Sequence, residues 1–211
     1  MSERRRGANP PNGAKTAKAI REAAAELFFR HGYEATTLRQ VAAKVGIQVG
    51  SLYNHISGKE TLLRWIMVGI MEDLLAAQQE AIAGQTGTLN QLRAAIDCHI
   101  RFHAARARDV FIGNSELRSL SPPNRRQVIE LRDRYEATLR ELVERAAAEG
   151  WADVVDPQLQ TFAILAIGVH VSTWYRPKGP LTLDEIVEKY TVIVLRQLGV
   201  QEPAGSLRTP N

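Results

Sequence analysis

The chain has 211 residues, of which 45% are hydrophobic and 24% charged, with a single cysteine, Cys98. That length can bury a core without disulfide or metal staples, and the composition excludes wholesale disorder and collagen-like structure. One cysteine cannot make an intrachain disulfide, no apolar run reaches the roughly 18 residues of a membrane span, and no apolar segment follows Met1, so a soluble cytoplasmic protein without a secretory signal or membrane contact is expected.

The formal net charge of +4 is unevenly spread. Residues 1–60 hold ten Lys/Arg against five Asp/Glu, a local charge of +5, and the rest of the chain is close to neutral. A basic head on a neutral body points to a polyanion partner for the head alone, with a merely solvated basic surface as the alternative.

Residues 1–14 carry Arg4, Arg5 and Arg6 among glycine, proline and asparagine, with no apolar periodicity; a disordered basic arm is predicted, one that can reach a minor groove or simply be solvated. From Thr16 the pattern turns helical: Ile20, Ala24, Leu27 and Phe28 follow the 3.6-residue period, and Gly32 stands where a helix C-terminal glycine belongs. Thr37-Leu38-Arg39-Gln40 reads as a capping box opening a helix through Val41, Ala42 and Val45 that Gly46 stops. A short piece over 49–55 follows, and Ser57-Gly58-Lys59-Glu60 reads as a second capping box, opening a long helix to about Ala83. Further helices are predicted near 89–106, 109–119, 124–149, 157–174 and 182–198. The fourth, over 157–174, starts at Asp156-Pro157 and the fifth at a third capping box, Thr182 to Glu185. No strand-like alternation appears. The fold class is all-α: a three-helix head with a helix-turn-helix over 15–60, and a larger helical ligand-binding and dimerisation body over 61–211.

The stretch from Thr37 to His55 carries most of the functional information. Two short helices joined at Gly46 fit a helix-turn-helix whose second helix enters the major groove; a plain helical hairpin is the alternative. Val41, Ala42, Val45, Ile47 and Leu52 can form its small core. That leaves Gln48, Val49, Gly50, Ser51, Tyr53, Asn54 and His55 to face outward. Gln48 and Asn54 are amides suited to pairing with adenine, whereas Tyr53, His55 and Lys59 are suited to phosphates.

Thr36 to Ala42, Gly50 to His55 and Lys59 to Leu63, preceded by Leu27-Phe28 and His31-Gly32-Tyr33, resemble the tetracycline-repressor-like (TetR) family of bacterial regulators. Ile56 departs from the phenylalanine usual there but remains apolar. The resemblance implies an all-α homodimer with a variable C-terminal ligand domain. It also implies DNA contacts from Thr37, Arg39, Gln48 to His55, and Lys59. Farther on, Phe111 to Leu120, Arg132 to Tyr135 and Trp174-Tyr175-Arg176-Pro177 are similar to the branch of the family that controls fatty-acid or steroid breakdown and senses acyl-CoA thioesters.

The helices over 157–174 and 182–198 are apolar on nearly every face, which predicts a symmetric homodimer seam built from them, a monomeric core being the alternative. Leu92, Ile96, His99, Ile100, His103, Phe111, Leu117, Leu131, Tyr135, Phe162 and Val169 are candidates for lining an effector cavity or filling the core. Arg118 and Arg176 can meet an anionic group such as a CoA phosphate. His99 and His103 have a spacing able to hold a metal, but no third ligand is evident, so pocket or core histidines are the preferred reading. Neither a nucleophile elbow, nor a phosphate loop, nor a metalloprotease signature occurs, and no enzyme activity or cofactor is expected. The sequence therefore reads as a DNA-binding regulator, a repressor released from a palindromic double-stranded operator by a hydrophobic effector such as an acyl-CoA. The alternative is a small-molecule binding module whose head no longer binds DNA specifically.

Overall fold

A computed structural model describes residues 11–200. The arginines of the arm, Arg4, Arg5 and Arg6, lie outside the described residues. Nine α-helices and a short 3-10 turn make up the described chain, with no strand among them. They divide into two compact units: residues 11–69 with 111–128, and residues 70–110 with 129–200.

The first unit begins with α1 (Pro11–His31), which starts five residues before the first helical periodicity at Thr16. Proline tolerates the first helical turn because its missing N–H has no partner there in any case. Ile20, Ala24 and Phe28 form the wholly buried face of α1. α2 (Leu38–Val45) is opened by the expected capping box: Gln40 N–H donates to Thr37 Oγ1, and Thr37 N–H donates to Gln40 Oε1. Gly46 ends it at φ +76°, a left-handed position that glycine adopts without strain. α3 (Val49–Leu52) is shorter than the 49–55 segment suggested; its last residues continue as tight turns, with His55 N–H donating to Leu52 C=O. Val41, Ala42, Leu52 and Ile56 are buried, so the isoleucine that stands in for phenylalanine still fills a core position, whereas Val45 and Ile47 are only half-buried. The start of α4 (Lys59–Ala83) belongs to this unit, as do the end of α6 (Ala107–Ser115), the 3-10 turn (Leu117–Ser119) and the start of α7 (Pro122–Ala148).

The second unit holds the remainder of α4, α6 and α7 with α5 (Thr88–Ala105), α8 (Pro157–Trp174) and α9 (Leu183–Gln197). Its core joins Leu92, Ile96 and Ile100 of α5 to Leu139 and Val143 of α7, Ile164 and Val171 of α8, and Val194 and Leu195 of α9. Local chemistry sets the helix starts: Asp156 accepts from Leu159 N–H ahead of Pro157, and Thr182 with Glu185 completes a capping box.

Candidate functional site

In the head, the capping box and Gly46 fix α2, and the burial of Leu52 and Ile56 fixes α3 against it, so the residues between them are turned outward. Arg39, Gln48, Gly50, Ser51, Asn54 and His55 are exposed, Tyr53 is 54% exposed, and Val49 is half-buried. Gln48 stands at the N-cap of α3 but makes no side-chain capping bond, which leaves its amide free to reach a base edge. Thr37 is also exposed, yet its hydroxyl is engaged: it donates to Gln40 Oε1 at 2.9 Å while accepting from Gln40 N–H. A phosphate at Thr37 must displace that bond.

Lys59 is tied into the turn after α1. Its Nζ donates to Tyr33 C=O at 3.0 Å and Glu34 C=O at 3.2 Å, and lies 4.2 Å from the centre of the Tyr33 ring. The Glu34 carboxylate also lies 3.8 Å from Nζ, so a phosphate at Lys59 competes with it. The capping box read at Ser57–Glu60 does not form. Ser57 Oγ bonds Thr61 Oγ1, Gly58 C=O accepts the first helical bond from Leu62, and Glu60 Oε1 accepts from Ser121 N–H at 2.8 Å and Asn124 Nδ2 at 2.6 Å. Those two bonds hold the Glu60 carboxyl below the ordinary glutamate range. Tyr33 N–H likewise donates to Glu116. The helix-turn-helix is thus braced from within its own unit by residues 111–128.

In the body, the expected histidine pair is a hydrogen-bonded cluster. His99 Nε2 faces Leu165 C=O at 3.1 Å, so this nitrogen carries the proton and donates; Nδ1 is then the acceptor, taking the Tyr135 O–H at 2.7 Å. His103 Nδ1–H donates to His99 C=O at 2.7 Å. Complete burial, reinforced by the neighbouring His103, pushes the His99 pKa down to about 3; burial also lowers that of His103 and raises that of Tyr135. Both imidazoles are neutral at physiological pH. Among the described residues, no group of three or more His, Cys, Asp or Glu gathers to hold a metal.

The other candidates are scattered. Ile96 is wholly buried on the core face of α5, and Val169 is half-buried on α8. Phe111 is 48% exposed in the first unit, edge-on to Phe29 at 5.3 Å between ring centres. Phe162 is 44% exposed on α8, in a stripe with Leu159 and Trp174. Arg176 donates to Thr173 C=O and Tyr175 C=O, finishing α8 rather than facing an anion. Arg118 lines an open recess of about 470 Å³ with Asn114, Ser115, Leu117 and Arg125.

Sequence reasoning missed Gly168, the Leu165 carbonyl, Glu60 with Asn124, and Arg125. Only Gly168 left a signal, since a glycine inside an apolar helix costs about 1 kcal/mol against alanine and implies close packing.

Comparison with known proteins agrees with this geometry. Residues 20–66 match the bacterial regulatory proteins of the tetR family, and residues 85–198 match the tetracyclin repressor-like C-terminal domain. The transcriptional repressor KstR2 of Rhodococcus jostii strain RHA1 is 30% identical over 175 residues, covering 82% of this chain and 85% of that protein. A tetR-family regulatory protein from Rhodococcus RHA1 superposes with a TM-score of 0.83 at 29% identity, covering 89% of this chain and 99% of that one. AibR, solved in complex with isovaleryl coenzyme A and operator DNA, superposes at 0.77 with 27% identity, covering 84% and 97%. Among the described residues, no helix is long and apolar enough to cross a membrane. A head that turns Arg39, Gln48, Gly50, Ser51, Tyr53, Asn54 and His55 outward, matched to one half of the family and joined to a body matched to the other, places this chain in the tetR family of bacterial regulatory proteins, DNA-binding regulators of transcription.

Proposed function

We propose that the protein is a cytoplasmic, homodimeric repressor with no enzymatic role, released from a near-palindromic operator by a hydrophobic acyl thioester. The observation that carries this reading is the exposed surface of Arg39, Gln48, Gly50, Ser51, Tyr53, Asn54 and His55 on the helix-turn-helix, with the Lys59 ammonium at the start of α4. Residues 15–60 serve as the DNA-reading head and 61–211 as the effector and dimer domain. Gln48 and Asn54 read bases; Thr37, Arg39, Tyr53, His55 and Lys59 hold phosphates; Val49, Gly50 and Ser51 allow close approach to the groove.

The outward stripe of Leu159, Phe162 and Trp174 on α8, with Ile193 of α9 half exposed, is the surface a second copy covers. A symmetric seam of four helices removes that apolar area from water. Ile96, His99, His103, Tyr135 and Val169 of the second unit face the effector's acyl part. The acyl thioester assignment is supported by the likeness to AibR, which was solved with isovaleryl coenzyme A, and by the mostly apolar body. Effector binding acts on DNA affinity through α4, one unbroken helix from Lys59 to Ala83. A coupling of about 1–3 kcal/mol changes DNA affinity roughly 5–150-fold. Hydroxyl-radical footprinting on the DNA flanking the protein's own gene tests the reading. Two protected half-sites related by a dyad are expected; uniform protection at all positions contradicts it.

A further inference from the structure

Two guanidinium groups of the first unit share a recess without a counter-ion. Arg118, exposed on the 3-10 turn, and Arg125, half-buried near the start of α7, line the recess of about 470 Å³ together with Asn114, Ser115 and Leu117. Neither guanidinium has an ion pair or a hydrogen bond among the described residues. Residues 111–128 hold three arginines and a single acid, Glu116. That carboxylate is engaged elsewhere: Oε1 accepts from Tyr33 N–H and Oε2 from Ser119 Oγ. Glu60 is likewise held by Ser121 N–H and Asn124. A concave surface lined by one sign of charge concentrates the opposite ion, and the guanidinium fork matches phosphate oxygens.

A second observation lies one helical turn away. Phe111 and Ser115 are four residues apart on α6, and Ser115 Oγ donates to Phe111 C=O at 2.8 Å. The Phe111 ring is 48% exposed, and its edge-on partner Phe29 is 45% exposed. Such a ring pair is apolar surface that a flat ligand ring can cover. Arginines for a phosphate next to an aromatic ring for a base are the two parts of a nucleotide site.

We propose that the recess binds a mononucleotide: Arg118 and Arg125 take the phosphate monoester, Asn114 donates its amide to the ligand's oxygens, and the base stacks on Phe111. The Ser115 hydroxyl proton is already given to Phe111 C=O, so Ser115 adds no donor. All of these residues belong to the first unit, and the site does not depend on the effector reading for the second.

The test is calorimetry of the full chain in phosphate-free buffer against adenosine 5′-monophosphate, ribose 5-phosphate, adenosine and coenzyme A, repeated with Arg125→Gln and Phe111→Leu. The monophosphate is expected to bind wild type once per chain, with a dissociation constant below about 1 mM. Ribose 5-phosphate should bind about tenfold more weakly, for want of the stacked base, and adenosine not at all. Arg125→Gln should weaken the monophosphate at least about tenfold. Phe111→Leu should bring it to the level of ribose 5-phosphate, whose own binding stays the same. Absence of monophosphate binding, or binding that Arg125→Gln leaves unchanged, overturns the proposal. Equal affinity for the monophosphate and ribose 5-phosphate overturns it as well. Coenzyme A that binds through Arg125 while the monophosphate does not also overturns it, and leaves the effector reading standing. Should Arg125→Gln fail to fold, NMR of wild type labelled at arginine decides. Two guanidinium resonances that shift with the monophosphate and not with adenosine are expected, and unmoved resonances overturn the proposal.

Discussion

Gly168 of α8 lies flat against the imidazole of His99: a Cβ added at Gly168 would stand 2.0 Å from His99 Cδ2 and 2.2 Å from Nε2. No side chain fits there without expelling the ring, and the ring holds Tyr135 and the Leu165 carbonyl. Gly168→Ala gains up to about 1 kcal/mol of helix propensity but overpacks the core by about 1–3 kcal/mol and strands the Tyr135 hydroxyl. A net loss of about 1–3 kcal/mol in urea unfolding is expected. In a His99→Ala background the same Gly168→Ala change should cost less, because the clash is then gone.

The same pair shows where sequence reading stops. The capping box of Thr37 and Gln40, the left-handed Gly46 and the Asp156-Pro157 helix start were legible because both partners of each bond lie within a few residues. Glu60 matches the capping pattern equally well but bonds Ser121 and Asn124, more than sixty residues away, and nothing local reveals such a competitor. His99 and His103 were marked by spacing, whereas the partners of the His99 ring come from α7 and α8 and are set by packing. Periodicity also marked Phe111 and Phe162 as apolar positions. It cannot tell a core position from a face left for a partner, and both side chains are about half exposed.

In the head, Arg39 and Lys59 separate two roles. Arg39 is exposed on α2, whereas Lys59 also pins the turn at Tyr33 and Glu34. Either change to alanine should weaken binding to all DNA sequences and lower the salt-dependence slope by about one unit. Only Lys59→Ala should also lower the melting temperature. Gln48→Ala or Asn54→Ala should instead leave the slope unchanged and relax preference at one base pair, costing about 1–3 kcal/mol on the best site. Salt-titrated anisotropy with matched and mutated sites distinguishes these outcomes.

Glu60 gives the brace of the head a pH dependence. Its pKa is lowered from 4.5 by the Ser121 and Asn124 bonds, so the folded state favours the carboxylate. A group depressed in this way stabilises the fold above its unfolded pKa, and the contribution fades as pH falls through the folded value. Wild type should therefore exceed Glu60→Gln in stability at pH 7, with the gap closing as the pH drops below about 4.5. Chemical unfolding of both proteins between pH 7 and pH 3 measures it. A gap that is constant over that range counts against the two bonds as its source.

Phe162 tests the dimer seam. With Leu159 and Trp174 it forms an apolar stripe on the outside of α8, and the side chain is 44% exposed. Phe162→Glu should leave the fold intact, because Phe162 is not one of the residues of the buried core. The dimer dissociation constant should rise by on the order of a hundredfold, since both copies carry the change. Sedimentation velocity shows this as a monomer at concentrations where wild type is a dimer.

Fluorescence anisotropy of labelled DNA from upstream of the protein's own gene, followed by titration with decanoyl-CoA, is the most direct measurement of the regulatory mechanism. Binding that survives salt far better than binding to scrambled DNA is expected, then release by a thioester at concentrations where the free acid has a weaker effect, because the free acid lacks the coenzyme A phosphates. Equal binding to scrambled DNA, or a complex that no acyl thioester releases, contradicts it.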